Sequence, residues 1–127
     1  MIAVDTSAIM AILLGEARRQ ACIDALLSEN HLIMSAGTFA ETLIVAGRRS
    51  LGEGASGLVE RFRLEIISIT PRHSKRVAEA YSIWGKGVHP ARLNLGDCFA
   101  YALAKEHGCP LLYVGNDFAL TDIQSVL

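Results

Sequence analysis

Four short apolar runs, Met1–Val4, His31–Met34, Ile66–Ile69 and Pro110–Val114, recur along the chain, each separated from the next by stretches of helical periodicity. A short apolar run bounded by turn signals reads as a strand buried on both faces. Strands that alternate with helices form a mainly parallel sheet, because parallel neighbours need a long crossover between them. The expected architecture is therefore α/β, a three-layer α/β/α arrangement with a mainly parallel central sheet and helices on both faces.

Asp5-Thr6-Ser7 closes the first run and reads as a turn that caps a helix. A helical stretch over Ala17–Leu27 sets Cys22, Ala25 and Leu26 on one face, and Ser35–Gly37 opens another helix, running from about Thr38 to Arg49. The glycines of Leu51-Gly52-Glu53-Gly54 read as a loop before a helix through Leu58 and Phe62. Pro71 suits the first turn of the next helix, whose stripe of Val77, Tyr81 and Trp84 is expected to pack in a core or an interface. Gly85 and Gly87 end it. Asn94 is expected to cap the helix that starts Leu95-Gly96-Asp97 and stops at Gly108.

The chain of 127 residues carries no linker, repeat or low-complexity tract, so residues 1–127 are expected to form one domain. Cys22, Cys98 and Cys109 are odd in number and widely spaced, and they suggest no disulfide framework. Met1–Val4 lacks the basic segment of a secretory signal, and Ala8–Leu14 is too short to span a bilayer, so a cytoplasmic location without a membrane is expected. The net charge of -1 excludes a generally basic coat for nucleic acid. Apolar residues make up 51% of the chain and the mean hydropathy is +0.33, which suggests surface that a partner covers, either a second copy in a homodimer or another protein.

In a parallel α/β sheet the working site lies beyond the carboxyl ends of the strands, and this sorts the acidic residues. Asp5 follows the first strand directly and Asp117 follows the last, so both belong at that edge. Asp97 lies in the first turn of the helix before the last strand, and Glu41 lies about one turn into the helix after the second. Glu41 is the most informative, because Thr38–Ala46 is otherwise uncharged and looks buried on most faces, where a lone carboxylate is costly. Acids converging on one point repel each other, and a divalent cation removes the repulsion. Oxygen-only ligands suit Mg²⁺, with Mn²⁺ as a substitute, whereas His31, His73, His89 and His107 form no spacing that suggests zinc. Metal held by acids alone points to phosphodiester hydrolysis.

Each acid also admits a structural role. Asp5 and Asp97 suit helix N-termini, Glu41 an exposed helix face, and Asp117 a turn. Arg72, Lys75, Arg76, Lys86 and Arg92, with Arg48 and Arg49, offer a basic rim for the phosphates of a nucleic acid, and they equally fit an ordinary solvated face. A phosphate-accepting receiver domain is disfavoured because Asp5 stands alone before Thr6-Ser7 and the third strand ends in Thr70-Pro71; an Asp-x-Asp phosphatase fails because Ser7 fills the second position. Two further alternatives remain, a nuclease acting on DNA and a non-catalytic binding module.

Val4-Asp5-Thr6-Ser7-Ala8, Ala40-Glu41, Leu95-Gly96-Asp97-Cys98-Phe99-Ala100-Tyr101-Ala102-Leu103-Ala104 and Gly115-Asn116-Asp117-Phe118 together resemble the motifs of the PIN-domain family. Their order and spacing are most similar to the VapC toxins, and the resemblance covers essentially the whole chain. It implies an α/β/α fold, a Mg²⁺- or Mn²⁺-dependent endoribonuclease, an RNA substrate, and inhibition by a small cognate VapB-like antitoxin of a toxin–antitoxin system. Asp5, Glu41 and Asp97 carry over as catalytic and metal-binding residues. The fourth acid is assigned to Asp117, with Asn116 standing where the family often has an acid. Thr6 or Ser7 follows the first acid as in the family, where a hydroxyl would orient Asp5 or a metal-bound water, and a helix-capping role fits it equally.

Overall fold

A computed structural model describes all residues, Met1–Leu127. The elements run β1 (Ile2–Val4), α1 (Thr6–Leu13), α2 (Arg19–Ser28), β2 (Leu32–Ser35), α3 (Ala36–Gly47), α4 (Gly52–Arg61), β3 (Glu65–Ile67), α5 (Pro71–Trp84), α6 (Leu95–His107) and β4 (Leu111–Leu112). The sheet has the order β3-β2-β1-β4 and every pair is parallel. Its register sets Ala3 against both Ile33 and Leu111, and Val4 against Leu112.

Alternation along β1 divides the core. Ile2 and Val4 face one layer with Met34, Leu112 and the buried faces of α1, α2 and α4, whereas Ala3 faces the other with Ile33, Leu111 and the apolar sides of α5 and α6. Both sheet faces are covered, as the uninterrupted apolar strands require, and the three-layer α/β/α arrangement follows. The chain moves outward from β1 through β2 to β3 and then returns to add β4 on the other side of β1. The carboxyl ends of β1 and β4 therefore flank a topological switch point, where such sheets form their crevice.

Helix boundaries follow local chemistry. Asp5, Ser35 and Thr70 cap α1, α3 and α5 with side-chain acceptors, and Pro71 opens α5. Gly108, at φ 59°, ends α6 in the left-handed conformation that glycine adopts without strain. The loop expected at Leu51–Gly54 is displaced. The chain turns at Arg48–Leu51, with Ser50 at φ 58°, and α4 already begins at Gly52. Burial of Ala55 and Val59 outweighs the low helix propensity of the glycines, and Gly54 lets α4 approach the Leu13 side chain, whose Cδ2 lies 3.1 Å from where a Cβ would stand.

The expected stripe on α5 is split. Val77 is buried and Trp84 half-buried, with its indole N–H donating to Tyr101, while Tyr81 is exposed. Likewise α3 buries Thr38, Thr42 and Ala46 but exposes Ile44, so it is amphipathic and not buried on most faces. No helix is long and apolar enough to cross a membrane, and Cys22, Cys98 and Cys109 are unpaired.

Candidate active site

Asp5 leaves β1 at its carboxyl end and is 4% exposed. One carboxylate oxygen, Oδ2, accepts from the Ser7 backbone N–H at 3.0 Å and from the Ser7 hydroxyl at 2.6 Å. The other, Oδ1, is buried without any hydrogen-bond partner, which is costly for an oxygen carrying charge. Burial pushes the Asp5 carboxyl up to about 6; the Ser7 hydrogen bonds oppose this and the Glu41 charge adds to it. Asp5 thus caps α1 through one oxygen and leaves the other without a partner.

Asp97 occupies the third position of α6 in a reciprocal capping box: its backbone N–H donates to Asn94 at 2.8 Å, and its own carboxylate accepts from the Asn94 N–H at 3.0 Å. Burial pushes this carboxyl up to about 7. The Asn94 hydrogen bond opposes the shift, and the charges of Asp5, Asp117 and Glu41 add to it. Asp97 therefore feels the charge of each of the other three sequence-predicted acids. Glu41 is half-buried and accepts from the Thr6 hydroxyl at 2.7 Å. That hydroxyl also meets Thr42 at 2.9 Å. Asp117 is exposed on the turn after β4, as is Asn116.

Two adjacent hydroxyls thus serve two acids. Ser7 holds Asp5, and its oxygen also accepts from the Val114 N–H at 3.0 Å, tying Asp5 to the strand exit that leads to Asp117. Gly96 has a role that sequence reasoning missed. A Cβ there would lie 1.8 Å from Glu41 Oε2, so only a bare Cα lets the glutamate reach over the first turn of α6. The signal was a glycine directly before the acid in Leu95-Gly96-Asp97, but its partner lies on a distant helix.

No three acidic, histidine or cysteine side chains close into a compact cation cage; the acids form a looser cluster coupled by charge. The donor set still fits a hard divalent cation. It consists of carboxylate oxygens alone, two of them on residues whose burial disfavours charge, and Asp5 Oδ1 lacks any other partner. The Cys98 thiol beside Asp97 is buried and pushed up to about 11 by that burial, so it supplies no thiolate. The expected basic rim is divided: Arg72 and Arg76 line a groove between α5 and α6 with Lys105 and His107, and none of the four acids contributes to it.

The α/β/α fold is accompanied by a direct family match: the PIN-domain family model matches residues 2–124. Ribonuclease VapC36 of Mycobacterium tuberculosis is 44% identical over 126 residues, covering 95% of this chain and 90% of the relative. The crystal structure of VapC20 of Mycobacterium tuberculosis, a sarcin–ricin loop cleaving toxin, is similar with a TM-score of 0.78 at 19% identity, covering 97% of this chain and 96% of that one. A toxin–antitoxin complex from Klebsiella pneumoniae gives 0.74 at 19% identity, covering 100% and 97%. The chain belongs to the PIN-domain family, and within it to the VapC ribonucleases.

Proposed function

We propose that residues 1–127 act as one PIN unit, a Mg²⁺-dependent endoribonuclease in which Asp5, Glu41, Asp97 and Asp117 are the catalytic and metal-binding residues, with Mn²⁺ as a substitute ion. The observation that carries this reading is the buried, partnerless Asp5 Oδ1, together with an Asp97 carboxyl that burial, and to a lesser extent the charges of Asp5, Asp117 and Glu41, pushes upward. A cation bound there would polarise the scissile phosphate, lower the pKa of an attacking water and stabilise the leaving oxygen.

The protein's own contribution is to fix the acids before substrate arrives. Ser7 and the α1 backbone hold Asp5, Thr6 steers Glu41, and the Asn94 N–H orients Asp97, so little reorganisation remains. Asp117, on its turn, is the one exposed acid of the four and would meet an incoming phosphodiester there.

We assign RNA as the substrate on the strength of the relatives that are named ribonucleases. By the same likeness to toxin–antitoxin complexes, we assign a VapB-like antitoxin as partner. A homodimer is proposed as well. Ile69, Tyr81 and Leu95 are exposed apolar side chains along one cleft between α5 and α6, and their cover favours association. Three unpaired cysteines suit a reducing compartment, and we place the protein in the cytoplasm.

Cleavage by the purified, partner-free chain tests the proposal. RNA and DNA panels are incubated with Mg²⁺ or Mn²⁺, with EDTA and Asp97→Asn as controls. RNA cutting that needs both the ion and Asp97 is expected; cutting of DNA in preference, or of neither by folded protein, overturns it.

A further inference from the structure

We infer that His73 is a positioning residue for the candidate site, holding α3 and α6 at the separation that Glu41 requires. The inference rests on reading Glu41 as a site residue. His73 comes from a third helix, α5, is 3% exposed, and uses both ring nitrogens. Its Nδ1 lies 3.1 Å from Glu106 Oε1 on α6, and its Nε2 lies 3.1 Å from the hydroxyl of Ser35, the N-cap of α3.

The hydrogen-bond chemistry fixes which nitrogen carries the proton. A carboxylate only accepts, so Nδ1 is the donor toward Glu106. In the neutral imidazole Nε2 is then bare, and Ser35 Oγ, which accepts from the Gly37 N–H at 3.2 Å, donates its own proton to it. The chain of bonds runs one way, from Ser35 to His73 to Glu106, and joins the start of α3 to the end of α6.

Between this relay and the acids lies one continuous antiparallel seam. At Glu41 the glutamate rests over Gly96, and one helical turn earlier Gly37 rests against the Phe99 ring, with an added Cβ 2.5 Å from its carbons. Two turns beyond Phe99 along α6, the imidazole joins Glu106 to Ser35, and Phe99 itself packs on His73 with ring centroids 6.0 Å apart. Two bare glycines allow the helices to touch, and the relay holds the far end of that contact closed. A polar chain whose two inner members, Ser35 and His73, are buried and bonded at once accepts one geometry and resists others.

Nuclear magnetic resonance on the chain alone tests this without cation or RNA. The ¹⁵N spectrum should show the His73 proton on Nδ1, and a cross-relaxation signal should connect Gly96 Hα with the Glu41 side chain. His73→Leu and the more tolerant Glu106→Leu should lose that signal. Glu106→Gln, which keeps an acceptor, should restore it, and Leu26→Ala, a core truncation in the other layer, should retain it. A proton on Nε2, a signal that survives both leucine variants, or its equal loss in Leu26→Ala overturns the inference. Wild-type protein that cleaves nothing would overturn the functional reading while leaving this result standing.

Discussion

The Glu41 carboxylate lies directly over the Cα of Gly96, so close that a methyl group there would stand 1.8 Å from its Oε2. Two residues on different helices are thereby bound by one steric condition: Glu41 lies over the first turn of α6 because Gly96, the residue before Asp97, has no side chain. Gly96→Ala should push Glu41 aside while α6 persists, alanine being a better helix former. A displacement of about 1 Å in a catalytic group costs on the order of 100-fold in rate. Cleavage kinetics alongside a thermal melt check this: lost activity with an unchanged or higher Tm is expected, and full activity would show that Glu41 tolerates the shift.

The buried acids make stability depend on pH in an unusual direction. Asp5 and Asp97 are raised to about 6 and about 7 in the folded protein, against about 4 for an exposed aspartate. Between those values the folded state binds more protons than the unfolded one, so stability is full below about pH 4 and is lost as pH rises through 6 and 7. Melts in EDTA should show Tm falling from pH 5 to pH 8. Asp97→Asn should flatten that slope and raise Tm at pH 8 by about 5 °C or more, as a kcal/mol-scale relief would. A Tm that climbs over this range contradicts the buried-acid account.

Ser7 and Thr6 separate orientation from charge. Ser7→Ala removes the hydroxyl bonds to Asp5 and Val114, and stranding the Val114 N–H should cost about 1–3 kcal/mol together with a fall in kcat. Thr6→Val keeps the shape and deletes the donor to Glu41 together with the hydroxyl's contacts to Thr42 and the Thr38 carbonyl, so kcat should drop with KM nearly unchanged. Urea melts and initial rates on the two variants provide the comparison. Wild-type kcat in Thr6→Val would remove that hydroxyl from the mechanism.

Much of this was legible in the sequence because the decisive signals were local. The four apolar runs gave the strands, and Asp5, Asp97 and Asp117 stood at strand ends or a helix start, where topology alone delivers them to one edge. Glu41 stood out as the one charge in an apolar helix, although α3 proved amphipathic, with Ile44 exposed. What escaped was long-range. Gly52 and Gly54 looked like a loop because propensity is local, whereas the packing of Ala55, Val59 and Leu13 that makes them helical is tertiary. The same holds for Gly96 beneath Glu41 and for His73 between Ser35 and Glu106, pairs separated by dozens of residues.

The central claim, that the four acids bind a divalent cation, is most directly tested by calorimetric titration of Mn²⁺ into wild-type protein and Asp97→Asn near pH 6.5, repeated in buffers of different ionisation enthalpy. With Asp5 and Asp97 at about 6 and about 7, both are partly protonated there and must give up protons to the cation. The account predicts saturable binding with proton release in the wild type, and loss of binding in Asp97→Asn. Absence of binding to the wild type, or equal binding with no proton release in both, would contradict it.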